Sequence, residues 1–179
     1  MSKKIKKGGF MHERHKNRDD LIGEHTFGDL GQLILIVIFL VIWILDSFIF
    51  KYSIRFFEIV PLYINLPVSV VILILSFYLA RTSLKIVFGE RREPPEVITK
   101  SVFGWVRHPV YLSALLLYLG LIISTLSIFS FLFWFIIFIF YNYIASYEEK
   151  ILIEFFGSEY KDYMKKVPRW VPKFICFKK

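Results

Sequence analysis

The sequence predicts an all-α, polytopic membrane protein: four transmembrane helices, the last two a C-terminal helical hairpin, followed by a cytoplasmic amphipathic tail. Three observations predict it. Of 179 residues, 56% are hydrophobic and 19% aromatic, more apolar than a water-soluble domain of this length carries. The 20 phenylalanines gather in runs with Ile and Leu, not in the alternation that marks the strands of a membrane barrel. Lys and Arg are concentrated outside those runs, as orientation signals for a bilayer are.

Residues 1–32 are a polar, basic amino-terminal segment. A cleavable leader has its apolar core much nearer Met1 than Leu33, so the first apolar run is expected to stay as an anchor. That run, Leu33 to Phe50, rises about 27 Å as a helix, enough for the hydrocarbon core. The second, Pro61 to Ala80, holds Asn65 and Pro67 near its start, where a missing amide and a polar side chain cost least. Residues 33–80 thus form a unit of two transmembrane helices. A polar loop is expected from Arg81 to His108, held extended around Pro94 and Pro95.

The apolar stretch from Val110 to Ala145 is about twice the ~20 residues of one span. Ser124, Thr125, Ser127 and Ser130 sit near its middle, which reads as a tight helical hairpin. Beyond it, Ile151, Leu152, Phe155 and Phe156 recur at helical spacing up to Gly157, and Tyr160, Tyr163 and Met164 form a second apolar stripe. The pattern reads as amphipathic helix on the bilayer surface, a plain interfacial anchor being preferred to a lid. Lys165, Lys166 and Arg169 suit anionic headgroups.

Of 23 Lys and Arg, 7 lie in Met1 to Gln32, 2 in Lys51 to Val60, 6 in Arg81 to His108 and 8 after Ala145. An even number of crossings returns both basic ends to one face, so the positive-inside rule places both termini in the cytoplasm. The formal net charge of +8 belongs to no separate soluble domain, which excludes nucleic acid as a partner. The lone Cys176 excludes an intramolecular disulfide, and with Phe177, Lys178 and Lys179 after it, it is no prenylation signal. His12-Glu13-Arg14-His15 lacks the zinc spacing H-E-x-x-H, so no metal site is expected. The polar stretch from Gly23 to Asp29 reads as a linker in preference to a cap over the site. Asp46, near the non-cytoplasmic end of the first span, reads as a boundary residue reaching interfacial water more than as a proton relay.

The hairpin has a geometric consequence. Arg107, His108, Pro109 and Tyr111 open its first helix, while Tyr147, Glu148 and Glu149 close its second, so both sets return to one face of the membrane. Such a mouth suits a charged, water-soluble cofactor serving a membrane-embedded substrate. It equally suits snorkelling interfacial side chains with no ligand, and spacing alone leaves both readings standing.

The run Val106-Arg107-His108-Pro109-Val110-Tyr111, then Glu148-Glu149, then Phe156-Gly157-Ser158-Glu159-Tyr160 with Tyr163, resembles the isoprenylcysteine carboxyl methyltransferase family. Phospholipid methyltransferases share the layout, and the resemblance spans Pro95 to Pro172. It implies that residues 81–179 form a cofactor-binding region holding S-adenosyl-L-methionine. It further implies that His108, Pro109, Val110, Tyr111 and Glu148 line the site and that Glu96, Val97, Ile98 and Phe103 border it. Glu148 suits ribose hydroxyls, and aromatic faces suit the sulfonium. Arg107 is the candidate catalytic residue. The acceptor implied is a lipid or a lipid-attached, prenylated group entering from the bilayer.

Two departures bear on the acceptor. Ile144 stands where carboxyl methyltransferases of the family carry an Arg that holds the substrate carboxylate, a role left to Arg81, Arg107 or Arg169. Ser101-Val102-Phe103 replaces the usual Gly-Pro-Tyr. No G-x-G-x-x-G loop occurs, against a soluble dinucleotide-type fold. A nicotinamide-dependent membrane reductase and a non-catalytic membrane scaffold are the alternatives, the first disfavoured by the small number of spans.

Overall fold

In a computed structural model of the chain, residues 28–53, 60–89 and 95–172 are described. The His12 to His15 run, the Pro94 break and Cys176 lie outside them. Among the described residues the ordered elements are all helical, and no strand occurs. α1 (Gly28–Ile44) continues into a π-helical turn, Leu45–Ile49. α2 is Leu62–Gly89, α3 is Pro109–Thr125, α4 is Ile128–Phe156 and α5 is Ser158–Lys166. Leu30–Ile49, α2 and α4 are each long and apolar enough to cross a bilayer. With 17 residues, α3 rises about 26 Å, a little less than the ~30 Å hydrocarbon core.

α2 corrects the loop expected from Arg81, because Arg81 to Gly89 are helical. The reason is visible in the sequence: Arg and Lys are good helix formers, and no Pro or Gly interrupts the run before Gly89. The 28 residues of α2 rise about 42 Å, so several turns extend past a hydrocarbon core of ~30 Å. Leu33, Val71, Phe77 and Ile139 are among the large apolar side chains left exposed on α1, α2 and α4, a surface that suits lipid.

α2 packs along α3 through small residues at heptad spacing. Ser69 Oγ donates to the Gly120 carbonyl at 2.8 Å, and Ser76 Oγ to the Ser113 carbonyl at 2.7 Å. Between them the helices touch at Gly120, where an added Cβ would stand 2.7 Å from Leu73 Cδ2. Small residues and hydroxyl-to-carbonyl bonds are how helices associate where lipid removes the hydrophobic drive. Phe39 of α1, Leu115, Tyr118 and Ile122 of α3, and Ile137 and Tyr141 of α4 form the buried core.

After α3, Leu126 in the left-handed conformation (φ 51°) and Ser127 reverse the chain into α4, within the serine-rich stretch that marked the turn. Ser127 caps α4 by accepting from the Ser130 amide at 3.2 Å. At this same end Asp46 departs from its expected role. It is only 4% exposed, and its Oδ2 accepts from Ser53 Oγ at 2.6 Å and Ser127 Oγ at 2.5 Å. A buried carboxyl group that cannot reach water takes hydroxyl partners, because a buried polar atom left unbonded is costly; here they meet Oδ2, and Oδ1 is left without one among the described residues. Asp46 ties the end of the first span to the α3–α4 turn.

α5 also departs from expectation. Gly157, at φ 61°, supplies the sharp break after α4 in a conformation that L side chains rarely adopt. Tyr160 and Tyr163 are then buried with Val167 against Val97, Leu152, Ile153 and Phe156. The apolar stripe therefore packs on the protein, while Lys161, Asp162, Lys165 and Lys166 face outward. Periodicity shows that a helix has an apolar face but not what covers it.

Candidate functional site

The first turn of α3 and the last turns of α4 meet. His108, the residue before the helix, cannot continue it backwards because Pro109 follows, and Pro at the first helical position fixes that start. His108 Nε2 lies 3.1 Å from Glu149 Oε1, 41 residues away in sequence, and its Nδ1 is 3.6 Å from Glu148 Oε2. Tyr111, one turn along α3, donates its hydroxyl to Glu148 Oε1. The His108 and Tyr111 rings stack nearly parallel, 5.6 Å apart and 7° from coplanar. His108, Pro109, Tyr111 and Glu148 are thus in one place, with Val110 on the same turn.

Burial lowers the His108 pKa below its ordinary value against the opposing pull of Glu149. The imidazole is neutral at physiological pH, and because a carboxylate can only accept, Nε2 carries the proton toward Glu149. Glu149 is the hub. Besides His108 it accepts from Arg169 Nε at 3.1 Å and from Arg169 Nη2. Arg107 Nε lies 3.0 Å from Glu149 Oε1, a charge contact whose N–H is not aimed at the oxygen, leaving that buried nitrogen without a hydrogen-bond acceptor. Two guanidinium groups and one imidazole therefore converge on one buried carboxylate.

The tail folds over this group. The Arg107 amide donates to the Pro168 carbonyl at 3.0 Å, and Arg107 Nη1 to the Met164 carbonyl at 3.3 Å. Tyr163 donates its hydroxyl to the Phe103 carbonyl at 2.6 Å, and burial raises its pKa so that it remains a donor. Trp170 sets its ring 6.2 Å from His108 and 5.7 Å from Phe138. Arg169, read from sequence as a headgroup contact, instead turns inward to α4.

Val97 packs on the Tyr160 and Tyr163 cluster. Phe103 lies in a short 3-10 turn, Ser101–Gly104, held by Tyr163. With Glu96 and Ile98 flanking Val97, this segment meets α5, and it joins the His108 and Glu148 group through the tail. Ile144 is buried, on the helix face of Tyr141 and Glu148 by its spacing. Arg81 is exposed on α2. No group of three or more His, Cys, Asp or Glu residues suited to a metal occurs among the described residues.

Residues 61–159 match the model of the family described as phospholipid methyltransferase, covering α2 through the start of α5. The chain belongs to that family. It is 33% identical over 93 residues to a protein-S-isoprenylcysteine O-methyltransferase of Schizosaccharomyces pombe, covering 49% of this chain and 37% of that one. Its identity to the protein-S-isoprenylcysteine O-methyltransferase of Saccharomyces cerevisiae is 32% over 102 residues, or 55% of this chain and 42% of that one. The matches thus span about two fifths of the length of these relatives. No solved structure matches the chain significantly.

For this phospholipid methyltransferase family member, sequence reasoning brought Glu149 to the mouth beside Glu148 and left Arg169 as one of three arginines open to a carboxylate. It did not show that Glu149 gathers Arg107, His108 and Arg169, and Trp170 carried no signal of its own. Only the Val-Pro-Arg-Trp turn after α5, which cannot continue a helix, could have marked a chain that folds back.

Proposed function

We propose that this chain is an integral membrane methyltransferase that uses S-adenosyl-L-methionine and acts on a lipid or lipid-attached acceptor of the isoprenylcysteine kind. The observation that carries the reading is the meeting of His108 and Tyr111 with Glu148, inside the stretch matched by the family. Four crossings with both termini cytoplasmic go with it. They agree with the Lys and Arg distribution, and a slight thinning of the bilayer accommodates α3.

The residues fit the cofactor. Glu148, whose side chain is 18% exposed, is oriented by Tyr111, and a carboxylate is an acceptor suited to hydroxyl or ammonium donors. The Tyr111, His108 and Trp170 rings offer aromatic faces to a cation. Because burial keeps His108 neutral, no like charge on the imidazole opposes a sulfonium. Glu149 holds the imidazole so that Nδ1 turns toward Glu148. The tail, bonded to Arg107 and to Glu149, covers one side of the site. When bound, the cofactor supplies an electrophilic methyl group.

The test is calorimetric titration of S-adenosylhomocysteine into the purified chain in detergent, with His108→Ala and Glu148→Ala compared after each is shown to be folded. Binding by the native chain and its loss in both variants is the expected result. A native chain without affinity refutes the proposal, as does binding indifferent to both changes. Transfer of labelled methyl to N-acetyl-S-farnesylcysteine then tests the acceptor class.

A further inference from the structure

Three arginines were open for anion recognition, and the structure sorts them. Arg81 is exposed on α2, which packs along α3. Arg107 is 11% exposed, and its guanidinium is fixed among the described residues by one hydrogen bond only, Nη1 to the Met164 carbonyl, its buried Nε lying beside Glu149 without a bond. Arg169 differs from both. Its guanidinium is oriented by four hydrogen bonds: Nε and Nη2 to Glu149, and Nη1 to Asn142 Oδ1 at 2.8 Å and Ser146 Oγ at 2.9 Å. A guanidinium has five N–H donors, so one, on Nη2, has no partner among the described residues. The side chain is 23% exposed, and the next residue, Trp170, stands beside His108.

A fixed guanidinium with a spare donor, beside a binding site and in contact with solvent, is built to take an oxygen anion. Its orientation costs the ligand nothing, since Glu149, Asn142 and Ser146 already supply it. Glu149 does not neutralise the region alone, because Arg107 lies 3.0 Å from the same carboxylate. With Glu148 beside His108, the two acids balance the two guanidinium groups, so an incoming carboxylate is held by the directed Nη2 donor and not by excess charge. Nearby aromatic and amide groups are neutral, and Ile144 leaves no other cation on that face of α4.

Resting on the proposed function, we infer that Arg169 is the carboxylate-recognition residue of this site. The ligand group is a single carboxylate, carried either by the amino-acid end of the cofactor or by the acceptor. Asn142 and Ser146 are positioning residues that act through Arg169.

The experiment compares native chain with Arg169→Gln and Arg169→Lys, each verified as folded by its melting transition, against four probes. Two are cofactor analogues, S-adenosylhomocysteine and 5′-methylthioadenosine, which lacks the amino-acid end. Two are acceptor analogues, N-acetyl-S-farnesylcysteine and its carboxamide. Loss of one charge-assisted bond corresponds to an affinity drop of about 10- to 150-fold. A drop of that size for S-adenosylhomocysteine but not methylthioadenosine places the cofactor carboxylate on Arg169. The same drop for farnesylcysteine but not its amide places the acceptor carboxylate there. Equal losses for acid and neutral members of both pairs, or no loss for any, overturn the inference while leaving the methyltransferase reading intact. If the native chain binds neither cofactor analogue, the methyltransferase reading falls first and this one with it.

Discussion

Replacing Glu149 by Gln tests whether one buried carboxylate organises the site. In the native chain Glu149 Oε1 accepts from His108 Nε2 at 3.1 Å and Arg169 Nε at 3.1 Å, while Oε2 accepts from Arg169 Nη2. A Gln amide keeps one oxygen and turns two hydrogens on whichever partner faces its nitrogen, so at least one donor meets a donor. It also removes the counter-charge of Arg107 and Arg169. Breaking a buried ion pair typically costs about 3–5 kcal/mol. The 23% exposure of the Arg169 side chain lets water screen part of that, which puts the expected loss near 2–3 kcal/mol. For a chain of this size such a loss lowers the melting temperature by about 5–10 °C. Glu148→Gln is the matched control: its side chain is 18% exposed against 4% for Glu149, so water screens its loss and its transition moves less while S-adenosylhomocysteine affinity falls. The assay is thermal unfolding in a single detergent, read alongside ligand affinity. If Glu149→Gln melts within about 2 °C of native, or if Glu148→Gln falls as far, the hub assignment is wrong.

Three further outcomes are expected. His108 has its folded pKa lowered by burial from an unfolded 6.5, so its contribution to stability is present above pH 6.5 and is lost as pH falls from there toward the folded value; melting scans from about pH 8 to 5 will show this slope in the native chain and a shallower one in His108→Ala. Gly120→Leu drives side-chain atoms into Leu73, already 2.7 Å from an added Cβ, and costs about 1–3 kcal/mol; Leu73→Ala in the same chain recovers part of the loss, whereas simple additivity would show that the two do not touch. Asp46→Ala strips the shared acceptor from Ser53 and Ser127 and destabilises by about 2–4 kcal/mol with S-adenosylhomocysteine affinity preserved, because it lies at the end of α3 opposite His108; an affinity loss in a folded variant would give Asp46 a functional part.

The apolar helices were legible because a run of about 20 hydrophobic residues has few uses other than a span. The approach of His108 to Glu148 was legible for a related reason: the serine-rich stretch marked a turn midway between them, and two helices leaving one turn bring together residues at similar distances from it. What escaped sequence reasoning depends on which surface an amphipathic face meets. Tyr160 and Tyr163 have the spacing of an interfacial anchor, and nothing within α5 distinguishes a bilayer from Val97 and Phe156 as the cover. Arg169 was misread with them, since a basic residue near an apolar stripe suits headgroups by composition. The heptad Ser69, Ser76 and Ser83 was a signal present and unused; small hydroxyl residues every seventh position on an apolar helix mark a contact face, and the first two bond α3.

The misreadings of Arg169 and Asp46 share one cause. Each was judged by its sequence surroundings, Asp46 by its depth in a span and Arg169 by the apolar stripe before it, where charge near an interface is cheap, and each is instead bonded across long sequence separations: Asp46 to Ser127, 81 residues away, and Arg169 to Asn142, 27 away. In a thin bundle of this kind an ionisable group near a helix end has two ways to avoid the hydrocarbon, outward to water or inward to partners. The inward route fixes geometry as well as charge. Asp46 uses it to hold the turn that sets the register of α3 against α4, and that register brings His108 to Glu148 and Glu149. Arg169 uses it at the opposite end, where the same two helices finish, to bring the tail over the residues so aligned. A site on short helix ends is thereby held from both ends, so loosening the Asp46 end should cost stability while the molecules that remain folded keep their ligand affinity.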